Sequence, residues 1–134
     1  MGATRSTKQS LPTMGVLVSS FRRHLRASNA APRTVQSYLE AVEQFEGFLL
    51  ERGMPTEPAA ITREHVESYL EDVLTKWKAT TALARFKSLQ QFFRFLVEDG
   101  ELPDSPMARM KPPRVPEEPP AVLTEDDLRG LLKA

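Results

Sequence analysis

Two histidines, two tyrosines and a run of carboxylates are the side chains of this 134-residue chain best suited to acid–base, nucleophilic or metal chemistry. His24 and His65 fall in different helical segments, with no carboxylate cluster beside either, and read as ordinary helix-surface residues rather than metal ligands. Tyr38 and Tyr69 both lie on apolar arcs and read as structural. The carboxylates of residues 40–72 recur mostly at helix-surface spacing, the pattern of a solvated face. The chain has no cysteine, which excludes a disulfide framework and a thiolate metal site. No glycine-rich phosphate loop occurs. Nothing here assembles a catalytic site, and no cofactor is implied. What remains is positive charge. Residues 79–96, "ATTALARFKSLQQFFRFL", combine Arg85, Lys87 and Arg94 with four phenylalanines, three leucines and no acidic residue.

The net charge is zero, yet the charge is segregated. Residues 1–39 carry six bases and no acid, residues 40–72 nine acids and two bases, and residues 73–97 five bases and no acid. A fold that brings the two basic blocks to one side has a positive face and a negative back. Duplex DNA is a dense line of phosphates, and lysine or arginine that neutralises them releases counterions. The alternatives are a basic face that meets an acidic protein and a solvated face balanced by the acidic helices.

The elements that must position these residues read as helices. Residues 14–28 place Leu17, Phe21, Leu25 and Ser28 on one side and Arg22, Arg23 and Arg26 on the other. A second helix opens at Pro32, where a missing N–H costs nothing. It carries Val35, Tyr38, Leu39, Val42, Phe45, Phe48 and Leu49 at helical spacing and stops at Gly53. Thr62 is the expected N-cap of a third, with Glu64 favourable to the dipole and Val66, Tyr69, Leu70, Val73 and Leu74 on its apolar side. The fourth spans about residues 80–98 and ends near Gly100. Its apolar arc is Ala82, Phe86, Leu89, Phe93 and Leu96, facing away from Thr80, Lys87, Gln91 and Arg94. Arg85 sits at the arc's edge. Phe95 falls on the polar side and must meet another element, the terminal segment or a neighbouring protomer. "LPDSPMARM" allows one short helical turn. "KPPRVPEEPP" has five prolines in ten residues, an extended, semi-rigid segment. "LTEDDLRGLLKA" then begins a further helix capped by Thr124.

These stretches resemble one family. "RTVQSYLEAVEQFEGFLLERG" (residues 33–53), "ITREHVESYL" (61–70), "ARFKSLQQFFRFL" and "DSPMARMKPPRVPEEPPAVLTEDDLRGLL" are similar, in order and spacing, to the N-terminal part of the tyrosine recombinases, or phage integrases. The resemblance implies an all-α, SAM-like bundle of four to five helices, the core-binding domain. In such proteins it forms half of a C-shaped clamp on double-stranded DNA, and a catalytic domain forms the other half. Expected boundaries are a disordered or cloning-derived tail at 1–13, the DNA-binding bundle at 14–110, a proline-rich linker at 111–120 and the start of the catalytic domain at 121–134. The catalytic arginines, histidine and tyrosine would lie beyond Ala134, so these residues by themselves would bind DNA and cut nothing. By position, the resemblance assigns DNA contacts to Arg33, Thr34 and Ser37 at the start of the second helix. It assigns others to Lys78, Thr80 and Thr81 before the fourth helix, and to Arg85, Lys87, Gln90, Gln91 and Arg94 along it. Lys87 stands where the family motif often has serine and Gln90 where it often has arginine. Glutamine can still read adenine through N6 and N7. The full-length parent would be a cytoplasmic, strand-exchanging recombinase, tetrameric on DNA and without a membrane role. The fragment alone would be a monomer.

Overall fold

The computed structural model describes residues 13–116. The tail before Thr13, the end of the proline-rich linker and the expected helix after Thr124 lie outside the described residues.

Four helices and one short 3-10 turn make up the described chain: α1 (Met14–Ala27), α2 (Pro32–Glu51), the turn Pro58–Ala60, α3 (Arg63–Lys76) and α4 (Ala79–Glu98). The expected all-α bundle is what forms. Its helix ends follow from local chemistry. The Thr13 hydroxyl accepts the N–H of Val16 and starts α1. At the start of α3, His65 Nδ1 accepts the backbone N–H of Thr62 at 2.9 Å. This is the reciprocal half of a capping box, with histidine where glutamate is usual. The Glu64 carboxyl is held below the ordinary carboxylate range by backbone N–H at the helix start and by the Thr62 hydroxyl.

Three helices stop in the same way. Beyond α2 and α4 the chain turns left-handed at Gly53 (φ +69°) and Gly100 (φ +80°), where a side chain would be strained. In each, the next residue reaches back into the last turn, Met54 N–H to Leu49 O and Glu101 N–H to Leu96 O, both 2.8 Å. Asn29 (φ +61°) plays that part after α1. Ser28, expected on the apolar side of α1, is exposed instead. It is the C-cap, and its hydroxyl donates to His24 O at 2.8 Å.

One core joins all four helices. All seven phenylalanines are in it: Phe21, Phe45, Phe48, Phe86, Phe92, Phe93 and Phe95. Phe21 of α1 meets Tyr38 of α2 at 6.1 Å and Phe92 and Phe95 of α4 at 5.3 and 5.4 Å between ring centroids. Phe45 meets Phe93 at 6.4 Å and Tyr69 of α3 at 5.1 Å. Phe95 thus finds its partner inside the bundle, in the groove of α1, where it also lies 4.7 Å from His24. Leu74 departs from expectation. It is 45% exposed, one residue past the buried Val73, in a surface groove that Leu70 and Met110 also line. After Gly100, Leu102 and Met107 are buried against the bundle. The "SPMA" stretch makes a turn, with Ala108 N–H on Ser105 O, but no helix.

Phe93 is wholly buried between Phe45 and Phe92. Phe93→Ala should cost roughly 3–5 kcal/mol out of the about 5–15 kcal/mol typical of a domain. A thermal melt followed by circular dichroism should show a large drop in midpoint. A midpoint within a degree or two of wild type would remove Phe93 from the core.

Candidate nucleic-acid interface

The outer side of α4 is built by its inner side. Phe86, Leu89, Phe93 and Leu96 are buried, so the residues about half a turn away must face out. Thr80, Lys87 and Arg94 recur at intervals of seven, two helical turns, and all three are exposed. Gln90 and Gln91, half-buried, flank that stripe. From Thr80 to Arg94 it runs about 21 Å at 1.5 Å per residue. Gln90 and Arg94 also line a shallow cleft against Asp104, Ser105 and Met107.

Arg85 is not part of the stripe. It is nine residues from Arg94, two and a half turns, and so points the other way. Its guanidinium donates to the Tyr69 hydroxyl at 2.7 Å, in a groove between α2, α3 and α4 that Trp77 and Lys76 also line. Burial pushes the Tyr69 pKa up, against the opposing pull of the Arg85 charge.

The remaining candidates cluster at two helix starts. Arg33 and Ser37 are one turn apart and exposed at the head of α2, with Thr34 half-buried between them. Lys78 is the N-cap of α4, followed by exposed Thr80 and half-buried Thr81. These two starts have no side-chain cap and no acid in the first turn, whereas Thr13 caps α1 and the Thr62–His65 pair closes α3. Their first N–H groups point outward at the positive end of each dipole. Contacts between α2 and α4 run in opposite senses: Tyr38 and Phe95 share Phe21, whereas Phe48 meets Tyr69, which binds Arg85. The Arg33 cluster therefore lies toward the Arg94 end of α4, and the Lys78 cluster lies at the far end.

Electrostatic pairing leaves the stripe alone. The three ion pairs among the described residues are Arg52–Asp72, Lys76–Asp72 and Arg63–Glu67. Each uses a base that lies beside the acidic block. Arg33, Lys78, Lys87 and Arg94 enter none of them. Sequence reasoning did not single out Trp77, the only tryptophan, which is 58% exposed next to Lys78. The signal available was its place outside both flanking apolar arcs. No group of three or more metal-ligating side chains occurs among the described residues. No described helix is long and apolar enough to cross a membrane.

An all-α bundle with one continuous core and a polar, base-rich outer helix face defines the class, and the chain belongs to the phage integrase family, matching its N-terminal SAM-like domain over residues 17–101. It is 29% identical to the tyrosine recombinase XerC of Myxococcus xanthus over 123 residues, which cover 91% of this chain and 41% of that protein. It is 30% identical to the XerC of Chlorobaculum parvum over 120 residues, covering 84% of this chain and 36% of the relative. The chain thus spans about two-fifths of the length of these relatives. The integrase of mycobacterium phage Brujita has a similar fold, with a TM-score of 0.65 at 24% identity over 88% of this chain and 39% of that one. A lambda integrase dimer bound to a COC′ core site matches with a TM-score of 0.64 at 18% identity, over 79% of this chain and 36% of that one.

The burial of Tyr69 has a consequence for pH. With the folded pKa raised, the unfolded chain ionises first. The stability Tyr69 confers is complete below about pH 10, the unfolded value, and is lost as pH rises through the folded one. Tyr69→Phe should flatten the alkaline fall in stability measured by urea unfolding on either side of about pH 10. An unchanged pH profile would mean that the hydroxyl titrates as freely in the folded protein as in the unfolded one.

Proposed function

We propose that this chain is the core DNA-binding domain of a site-specific tyrosine recombinase and grips duplex DNA as one half of a clamp. The observation that carries the reading is the outer stripe of α4. Its bases are exposed and form no ion pair among the described residues, while the phenylalanines on its back fix the helix rigidly to the bundle. At about 3.4 Å per base step, a stripe of about 21 Å matches roughly six steps of duplex. Lys87 and Arg94, about 10 Å apart along the axis, are spaced to take separate phosphates. Gln90 and Gln91 lie beside them, within the reach of base edges in a major groove. The uncapped starts of α2 and α4 offer N–H groups and threonine hydroxyls to further phosphates. Arg85, tied to Tyr69, faces the α3 side and lies off this stripe.

Strand exchange in the parent protein would belong to a catalytic domain following the proline-rich segment, with its own arginines, histidine and tyrosine. The full protein would assemble as a tetramer on the recombination site, in the cytoplasm. The competing reading, a bundle whose basic face meets an acidic protein, shares the charge but not the spacing.

A salt titration by fluorescence anisotropy separates the two. Duplex binding on the order of micromolar is expected, with log affinity falling linearly in log salt at a slope reflecting about three to five phosphates. Lys87→Ala with Arg94→Ala should weaken binding to every duplex and lower the slope by about two, with stability held within about 1 kcal/mol. Gln90→Ala should change the preference between sequences more than the slope. Trp77 emission should respond as α4 engages. Unchanged affinity and slope in the double variant would make the stripe a solvated face and return the acidic-partner reading.

Incubating the chain with a nicked suicide duplex should leave no denaturation-resistant protein–DNA band. A band lost on Tyr38→Phe or Tyr69→Phe would make one of these tyrosines a nucleophile.

A further inference from the structure

The helix left out of the proposed interface, α1, carries Arg22, Arg23 and Arg26 and no acid. All three are exposed, and none enters an ion pair among the described residues. Arg26 and His24 in the last turn complement the dipole of α1, which accounts for one base but not for three. Arg22 and Arg26, one turn apart, repel each other along the same edge. That edge faces a groove whose other wall is α2, from Pro32 through Gln36 to Glu40 and Glu43. Gln36 Nε2 holds Glu40 at 3.1 Å, and among the described residues neither Glu40 nor Glu43 forms an ion pair with an arginine. Arg23 turns aside toward the Ser20 hydroxyl.

Packing decides where this edge sits in the molecule. Phe21 stacks on Tyr38, one residue past Ser37. His24, which by helical phase lies on the other side of α1 from Arg22 and Arg26, is 4.7 Å from Phe95, the neighbour of Arg94. The C-terminal half of α1, the head of α2 and the C-terminal half of α4 therefore share one end of the bundle. That end carries Arg22 and Arg26 on the α2 side of α1, opposite Glu40 and Glu43, with Arg33 at the head of α2 and Arg94 on the outer side of α4. Glu98, which lines the cleft beside Arg94, and Asp99 are the acids that follow on α4.

We propose that Arg22 and Arg26 extend the DNA-binding face from the head of α2 onto α1, contacting backbone phosphates that flank those met by Arg33. The inference rests on the DNA-binding reading above and adds α1 to it. A guanidinium is a suitable group for this, because its planar fork of donors matches two phosphate oxygens at once. Such contacts fix register and carry no sequence information.

The test measures binding of the 134-residue chain to two unrelated duplexes, each longer than two helical turns, across a salt series. Four proteins are compared: wild type, Arg22→Ala/Arg26→Ala, Lys87→Ala/Arg94→Ala and the quadruple variant. The α1 variant should lower the salt slope on both duplexes, and the quadruple variant should lower it further than either double variant. Its melting temperature should hold or rise, since a like-charge pair is removed. Arg22→Lys/Arg26→Lys, which keeps the charge, should retain most of the slope even if the alanine variant melts early. An α1 variant that binds like wild type while the α4 variant weakens overturns this inference alone. Neither variant changing overturns the DNA reading with it. A loss on one duplex only would mean base readout by α1, which also overturns the assignment.

Discussion

The aromatic contact of α4 with the rest of the bundle is the constraint on which the other features depend. Four of the seven phenylalanines belong to this helix, and Phe92 and Phe93 are wholly buried. Phe21, Phe45, Tyr38 and Tyr69 bring a ring from each of the other helices into the same cluster. Aromatic burial of this kind contributes much of a small core and fixes the rotation of a helix about its axis. Once that rotation is fixed, the position of every outward residue follows. Lys87 and Arg94 face out because Phe86 and Phe93, one residue before each, face in.

Charge segregation is the second organising feature, and it is resolved locally. Asp72, partly buried, takes Arg52 and Lys76, and Glu67 takes Arg63. The acidic block is thus matched in part by bases on α3 and at the end of α2. Among the described residues, no arginine or lysine of α1 or α4 forms an ion pair with it. A zero net charge conceals this arrangement, in which acids and bases occupy different stretches of the chain. Holding unpaired bases along a rigid helix is of no benefit to the bundle itself, since like charges at helical spacing repel. It becomes favourable when an extended polyanion supplies the countercharge.

Arg85 shows how a side chain of the right type is diverted. It lies in the middle of a basic helix, yet its phase carries it to the α3 side and the Tyr69 hydroxyl. The groove there is lined by Trp77, Lys76 and Asp72 as well, so it is polar on one wall and aromatic on the other.

Periodicity alone determined the helices. The spacing of Val35, Val42 and Phe45, the proline at position 32, and the glycines at 53 and 100 fixed the elements and their ends almost to the residue, because helix geometry and capping are local. The exposure of Thr80, Lys87 and Arg94 was legible for the same reason. Three things were decided only by tertiary structure. Phe95 was apolar on a polar arc, and only the approach of α1 gave it Phe21 and His24 as neighbours. Leu74 followed the apolar pattern yet lies exposed beside buried Val73, because pattern cannot say how much of an apolar arc a neighbouring element covers. The gathering of Arg22, Arg26, Arg33 and Arg94 at one end depends on how α1, α2 and α4 pack. That packing is set by contacts between residues far apart in the chain, and local spacing carries no record of them.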